Sequence, residues 1–513
     1  MTNNRKTSRA RPIDWTMFGA TVFVILFACV PMFLAKERAA ELIRALHGII
    51  TSDLGLAYLL YAVGAFGFLV YLALSRYGNV VLGKDESDGV EFRTLTWVAM
   101  IFCAGVGAGL LYWAVIEWGY YIDAPPFNLE PRSSAAIEWA ASYGIFHWGL
   151  TGWALFCLPA LAIAYPYYVR RVPYLRLSTG CMAFLPDGVN SRRGRFIDFL
   201  YMVNLVGGTG TSLGLSTPMI AASFAAVFGV QHDFTLDVSM VLFCIAIFGG
   251  SAYIGLHGGF RRLADLNLWV AFALLAFVLL VWPTMFILKT GFNSVGLVLQ
   301  NFVRMNTWTD PVANSGFVEA WTVFYWAWWI AYGPFVGIFV TRISRGRTIR
   351  QVILGMLVFG SLGAAMFFIV LGNYALHLEL SELLPVTTIM KEAGEPAAIA
   401  QVMLTLPFGK FALFAFFVMS VIFLATTYDS ASYTLASVST SHLEAGKDPV
   451  RWSRVFWACA LGVLPITLMF VDGGLSVVLS ATIVASLPLL VVGVALAISL
   501  LRMLREDQDV SRE

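Results

Sequence analysis

Charge is scarce in this 513-residue chain. Only 12% of its residues are charged, about half the share found in a water-soluble domain, so a soluble globule is excluded. The balance of 33 Lys and Arg against 31 Asp and Glu leaves a formal charge of +2. No pooled basic excess exists to neutralise a phosphate backbone, which argues against a nucleic-acid binder. The six cysteines (Cys29, Cys103, Cys157, Cys181, Cys244 and Cys459) fall singly, without the close pairing or Cys/His spacing of a zinc site or a disulfide framework. The six histidines are equally scattered. No Gly-x-x-x-x-Gly-Lys-Ser/Thr loop occurs and no soluble stretch could hold a nucleotide-binding domain, which argues against an ATP-driven pump. With no triad spacing and no paired carboxylates in one span, an enzyme is not expected either, and no cofactor is implied.

What the chain has instead is apolar surface: 59% hydrophobic residues, 40 Phe, 16 Trp and 19 Tyr, and a mean hydropathy of +0.77. Crossing roughly 30 Å of hydrocarbon takes about 20 apolar residues. Twelve such runs predict an all-α polytopic membrane protein, with spans near 15–35, 55–75, 95–122, 136–164, 197–228, 237–255, 264–288, 319–341, 350–375, 411–435, 454–471 and 475–501. The first is longer than a signal-peptide core and lacks a small-residue cleavage site, so it reads as a retained span. Alternate loops and both termini hold 25 of the 33 Lys and Arg, which predicts cytoplasmic termini in an inner membrane. Residues 290–306 form a short amphipathic pattern expected to lie along the outer membrane surface, as a lid, a trimer contact or plain packing, and 378–410 suggests a second surface helix.

Backbone that unwinds inside a bilayer is tolerated only where protein or a water-filled cavity satisfies it. Gly105-Val106-Gly107-Ala108-Gly109 interrupts the third span and Gly333-Pro334 the eighth, at similar offsets from their starts. These five residues, Gly105, Gly107, Gly109, Gly333 and Pro334, are expected as hinges. If spans 3–7 and 8–12 are two five-helix repeats, their odd number inserts them with opposite orientation, the signature of a secondary transporter. The third helix of each proposed repeat carries a polar cluster: Gly208-Thr209-Gly210-Thr211-Ser212 and Thr426-Thr427-Tyr428-Asp429-Ser430. Hydroxyls and unwound carbonyls can replace a cation's hydration shell. The plainer alternatives are a Gly-x-x-x-Gly packing face at 105–109 and hydroxyls bonded to their own helix. Asp429 is costly in lipid and is expected to face the bundle interior. His147 reads as a hydrogen-bonded structural residue in preference to a proton relay.

The eighth span opens with four tryptophans in nine residues. Tyr325, Trp329 and Tyr332 are spaced i, i+4 and i+7 and share one helix face. Trp148, Trp153 and Phe156 offer a second aromatic surface from the fourth span. Facing rings attract a methylated ammonium that has no N–H to donate, by about 2 kcal/mol or more in a dry site. The alternative is an interfacial aromatic girdle, which suits Trp321 and Trp326 better than Trp329.

The run from Trp321 to Arg347, WTVFYWAWWIAYGPFVGIFVTRISRGR, resembles the signature of the betaine/choline/carnitine transporter family. So do AGVGAGLLYW (Ala104 to Trp113), FHWGLTGW (Phe146 to Trp153), GTGTSLGL (Gly208 to Leu215) and TTYDSAS (Thr426 to Ser432), so that the resemblance spans nearly the whole chain. It implies a LeuT-like 5+5 inverted repeat in spans 3–12, with two extra N-terminal helices outside it. The chain then divides into an N-terminal tail (1–14), two peripheral helices (15–94), repeat 1 (95–288), an external surface helix (289–318), repeat 2 (319–501) and a cytoplasmic tail (502–513). It also implies alternating-access transport of a quaternary-ammonium or related onium zwitterion, such as glycine betaine, carnitine or a sulfonium analogue, and assembly as a homotrimer. By resemblance the cage includes Trp148, Trp153 and Trp329, with Trp328 and Tyr332 along the inner pathway. One sodium would sit between Cys103 and Val106 of span 3 and Phe423, Thr426 and Thr427 of span 10. A second would use Thr209 and Ser212 with Phe335 nearby.

The sequence also departs from the family's betaine-specific members, which carry Tyr where Phe156 stands and Trp where Tyr332 stands. The stretch Ile116 to Tyr121, with Pro125-Pro126-Phe127, is instead similar to the carnitine-exchanging branch, whose tyrosine near Tyr121 lines the pocket. That branch carries a methionine in place of sodium where this chain has Val336, and lacks the glycine run at 105–109. Sodium symport of an onium zwitterion is therefore the leading expectation, with sodium-independent exchange as the alternative and an ion channel as a remote one. The tail from Arg502 to Glu513 is short, and weak or absent osmotic activation is expected.

Overall fold

The computed structural model describes residues 13–83, 89–105, 107–254, 257–441, 448–470 and 474–510. Among them every extended element is a helix, apart from isolated bridges joining Ile13 to Thr440 and Val81 to Thr348. The long helices are α1 (Trp15–Leu34), α2 (Lys36–Leu74), α3 (Thr94–Gly105), α4 (Ala108–Asp123), α5 (Ser134–His147), α6 (Leu150–Tyr168), α7 (Arg192–Phe228), α8 (Phe234–Ile254), α9 (His257–Val281) and α10 (Thr284–Gln300). After them come α11 (Val318–Ile343), α12 (Ile349–Leu380), α13 (Gly409–Val438), α14 (Arg451–Phe470) and α15 (Gly474–Val510). Nine helical segments among the described residues are long and apolar enough to cross a membrane, or ten when the bent pair α9 and α10 counts as one. This is a polytopic membrane architecture. Two of the twelve segments expected from hydropathy fall outside that count: the third is split between α3 and α4, and the sixth is represented by the shorter apolar stretch Phe234–Ile247.

Boundaries differ from the hydropathy reading where polar residues continue a helix or proline stops one. The second span, expected at 55–75, is the end of the 39-residue α2, about 58 Å long at 1.5 Å per residue. The seventh span does not run to 288. It stops at Val281, and the chain turns by 112° into α10, because Pro283 has no N–H to continue the ladder. Residues 378–410 hold two short helices, Val386–Ala393 and Glu395–Leu404. Helix α7 begins at Ser191, whose side chain accepts from Gly194 N, and ends at Gly229 with φ 71°, the left-handed cap that glycine adopts without strain.

The core is built where α6 and α11 run against each other. A Cβ on Gly333 would lie 2.8 Å from the Leu155 carbonyl oxygen, and one on Gly337 would lie 2.8 Å from Ala160 N. The pair is a small-x-x-x-small packing face. Helix α11 continues unbroken through Gly333 and Pro334, so the hinge expected there is corrected: this glycine serves close helix contact. Irregularity in this half sits elsewhere, in π-helical turns at Val318–Val323, Gly355–Gly360 and Phe368–Gly372, a distortion that recurs at functional sites.

Candidate functional site

The break in the third span is real. Helix α3 stops at Gly105, Gly107 is extended (φ −129°, ψ −169°), and α4 restarts at Ala108 without a side-chain cap. Neighbours approach all three glycines, most closely at Gly105. A Cβ on Gly105 would stand 2.4 Å from the Trp153 ring, one on Gly109 would stand 3.2 Å from Trp328, and one on Gly107 would stand 3.3 Å from Thr427 Oγ1. A second break, which hydropathy does not reveal, separates α5 from α6 at Trp148 and Gly149.

These two breaks meet the aromatic face of α11. Trp328 and Trp329 stack at 4.8 Å with their planes 14° apart. Trp148 stands edge-on to both, 4.6 Å from Trp329 and 5.9 Å from Trp328. The Trp329 indole N–H donates to the His147 carbonyl (2.9 Å), and that of Trp328 to the Gly208 carbonyl (3.4 Å). The three tryptophans, Tyr332, Ser212, Leu110 and the three glycines line one cavity of about 20 Å³. That space holds little more than a water molecule, so admitting a methylated ammonium headgroup requires the rings to part.

Other expected cage residues stand behind this wall. Trp153 is wedged between Gly105 and Gly360, behind the lining residue Gly105, and touches Phe156 (5.6 Å), which in turn packs on Trp329 (5.3 Å). Tyr325 touches Trp329 (5.7 Å) and Trp328 (6.2 Å), but its hydroxyl points away to Glu117 Oε2 (2.5 Å). Tyr121 does not line the cavity. Twelve residues along α4 from Gly109, about 18 Å at 1.5 Å per residue, it donates to Glu117 Oε1 (2.6 Å). Tyr332 does line it, with Phe335 5.1 Å behind.

Of the residues expected at a first cation site, Val106 and the Cys103 side chain lie outside the described residues. The Thr426 and Thr427 hydroxyls both donate to the Phe423 carbonyl (2.9 and 3.0 Å). Each hydroxyl keeps lone pairs that can accept or ligate, and Thr427 turns toward Gly107 and bonds the Tyr332 hydroxyl. At the second, Thr209 donates to Leu205 O (2.5 Å), while Ser212 reaches the cavity wall beside Gly109. Phe335 joins this set only through Tyr332, whose ring would lie 3.7 Å from a Cβ on Gly208. Asp429, 26% exposed, pairs with Arg454 of α14 (2.8 Å), the partner a carboxylate on an apolar helix needs.

At the end of α4 opposite the glycines, Arg132 bridges Asp123 (2.7 Å) and Glu379 (3.1 Å), and Lys391 reaches Asp123 from the other side (2.5 Å). Burial pulls the Asp123 carboxyl upward, but the hydrogen bonds from Lys391 and Arg132 prevail and hold it below its ordinary value.

A family model for "BCCT, betaine/carnitine/choline family transporter" matches residues 16–509. The chain belongs to this family. It is similar to "Uncharacterized transporter YeaV" of Escherichia coli, 37% identical over 443 residues, which covers 86% of this chain and 92% of that protein. It is also 33% identical over 449 residues to the "Carnitine transporter" of Acinetobacter baumannii, covering 88% of this chain and 81% of the other. Membership makes the chain a membrane-embedded, multi-pass transporter. The residues that motif reading passed over are Glu117, Thr322 and Gly360. A carboxylate inside an apolar helix was the available signal for the first. Thr322 and Gly360 have no such signal, since each matters only through a partner far away in the chain.

Proposed function

We propose that this family member is a secondary transporter for a zwitterionic onium compound such as glycine betaine, carnitine or a sulfonium analogue, dimethylsulfoniopropionate among them. One observation carries the reading: Trp148, Trp328, Trp329 and Tyr332 close around a cavity whose other wall is the unwound glycine run. Aromatic faces hold a permanent cation that offers no hydrogen-bond donor, and backbone exposed at a break supplies polar partners for the rest of the cargo. The relative named a carnitine transporter adds weight to carnitine.

Transport is by alternating access and coupled to sodium in this reading. Support comes from the polar clusters of α7 and α13, which approach the same glycine run from the two halves of the chain, Ser212 at Gly109 and Thr427 at Gly107. The proposal extends to twelve spans, with a LeuT-like inverted repeat over 95–288 and 319–501 and peripheral helices over 15–94. It further includes the surface segment 289–318, tails at 1–14 and 502–513 on the cytoplasmic side of the inner membrane, and a homotrimer. A second reading, sodium-independent exchange, rests on the carnitine-like stretch from Ile116 to Tyr121.

Counterflow in proteoliposomes separates them, with glycine betaine, choline, carnitine and dimethylsulfoniopropionate each offered with and without sodium. Uptake of one onium compound that requires sodium supports the symporter. Exchange that proceeds without sodium and needs internal substrate supports the second reading, and failure of all four compounds to compete refutes both.

A further inference from the structure

Glu117 and His147 are buried to 1% and 0% exposure, and the transport reading uses neither side chain. Ionisable groups at such depth are costly and mark function when they are paired. The carboxylate accepts from the Tyr121 hydroxyl (2.6 Å) and the Tyr325 hydroxyl (2.5 Å), and His147 Nδ1 lies 3.3 Å from it and 3.2 Å from the Tyr121 oxygen. On the far side of the imidazole, Nε2 lies 3.2 Å from the Thr322 hydroxyl.

Two features distinguish this cluster from an inert brace. It can gain a proton without losing a hydrogen bond: the Thr322 hydroxyl donates to Nε2 of a neutral imidazole and, after rotating, accepts from Nε2–H of an imidazolium. With a proton on Nδ1 in both states, that side of the ring keeps a hydrogen bond to the Glu117 carboxylate (3.3 Å) or the Tyr121 oxygen (3.2 Å). The cluster is also attached to the cavity at two places. The Tyr325 ring stacks on His147 (4.5 Å) and packs against Trp329 (5.7 Å), and the His147 carbonyl, at the α5–α6 break, accepts from the Trp329 indole.

We propose that Glu117 and His147 form a proton site linked to the aromatic cavity, so that protonation and cargo binding oppose each other. The cargo half of this statement rests on the function proposed above. With His147 neutral the pair carries one negative charge; with His147 protonated it carries none. A permanent cation in the cavity, separated from the pair by the Tyr325 ring, favours the deprotonated pair, and by reciprocity it expels a proton. At the effective dielectric of protein sites the opposition is on the order of tenfold in affinity.

Other titratable groups surround the pair. Tyr121 of α4, Tyr143 of α5 (5.3 Å from His147) and Tyr325 of α11 face it directly, with Tyr120 further along α4. Arg304 sits over Phe127 (4.1 Å), whose ring packs on Tyr143 (6.0 Å). Glu319 near the start of α11 is half-buried, while Glu138 of α5 and Lys289 of α10 are exposed.

The test uses purified full-length protein in nanodiscs with L-carnitine as probe. Affinity is expected to fall about tenfold between pH 8 and pH 5, and carnitine added in weak buffer should release protons. Glu117→Gln and His147→Gln should abolish both effects, whereas Thr322→Val, which keeps the charges, should shift the midpoint only. Independently of any ligand, pH-difference infrared spectra of the wild type should show carboxylate and imidazole bands that the Gln variants lose. Identical pH dependence in wild type and variants, or ligand-free spectra that the variants leave unchanged, overturns the proton site. If carnitine binds at no pH, the cargo reading fails and the infrared arm still decides. Should Glu117→Gln not fold, His147→Gln and Thr322→Val carry the comparison.

Discussion

Trp329→Ala is the sharpest test of the cage, because Trp329 is stacked on Trp328, edge-on to Trp148, 3% exposed and part of the cavity wall. Removing its ring deletes one face of a desolvated cation–π contact, about 2 kcal/mol, which corresponds to roughly a 30-fold rise in Kd. The same truncation leaves a cavity in the core, about 3–5 kcal/mol for a buried Trp, and orphans the His147 carbonyl that accepted its N–H. Binding and folding must therefore be read separately. Trp326→Ala supplies the control: Trp326 is 0% exposed on the same helix but does not line the cavity, so it should lower the thermal midpoint similarly without changing affinity. Trp329→Phe should fall between wild type and Trp329→Ala. The assay is equilibrium binding of labelled carnitine and glycine betaine alongside thermal unfolding. Affinity of Trp329→Ala within threefold of wild type, in protein that still melts cooperatively, refutes the cage.

Gly105→Ala places a methyl 2.4 Å from the Trp153 ring; overpacking of roughly 1–3 kcal/mol is expected to cut uptake at least tenfold at equal surface expression. Thr427→Ala should raise the sodium concentration for half-maximal uptake about tenfold while Thr427→Ser restores it, a direct check on the hydroxyl that faces Gly107. Gly337→Ala, whose methyl would meet Ala160 N at 2.8 Å, should lower the thermal midpoint without altering sodium dependence. Asp123 is held below its ordinary 3.8, so its contribution is complete above about pH 4 and lost as pH falls through the lowered value. Wild type should therefore lose more thermal stability than Asp123→Asn between pH 7 and pH 3.

Legibility followed the range of the interaction. The aromatic face of α11 could be read from the sequence because its rings are neighbours on one helix, and the interruption at 105–109 because three glycines so close together weaken any helix. Gly333-Pro334 misled for the same reason. A local breaker signal could not tell an unwound hinge from a glycine pressed on the Leu155 carbonyl with proline accommodated beside it. The break at Trp148-Gly149 escaped although Gly144, Gly149 and Gly152 lie close to it, because glycines also serve close helix contact and do not by themselves mark a break. Tyr121 was expected at the pocket, but its hydroxyl is claimed by Glu117, and that partnership also involves Tyr325, more than 200 residues away.

Chain composition by itself determined that this molecule lives in lipid, since hydrophobic run length is measured against bilayer thickness and needs no partner. It also determined that a dense set of rings sits beside the eighth span's glycine, and where the third span gives way. Which rings meet was decided only in three dimensions. Trp328 and Trp329 joined the wall with their indoles held by the carbonyls of Gly208 and His147, whereas Trp153 is wedged between Gly105 and Gly360. The same holds for Glu117: a carboxylate in an apolar helix is a liability in the sequence, and only the convergence of Tyr121, His147 and Tyr325 from three helices makes it a site.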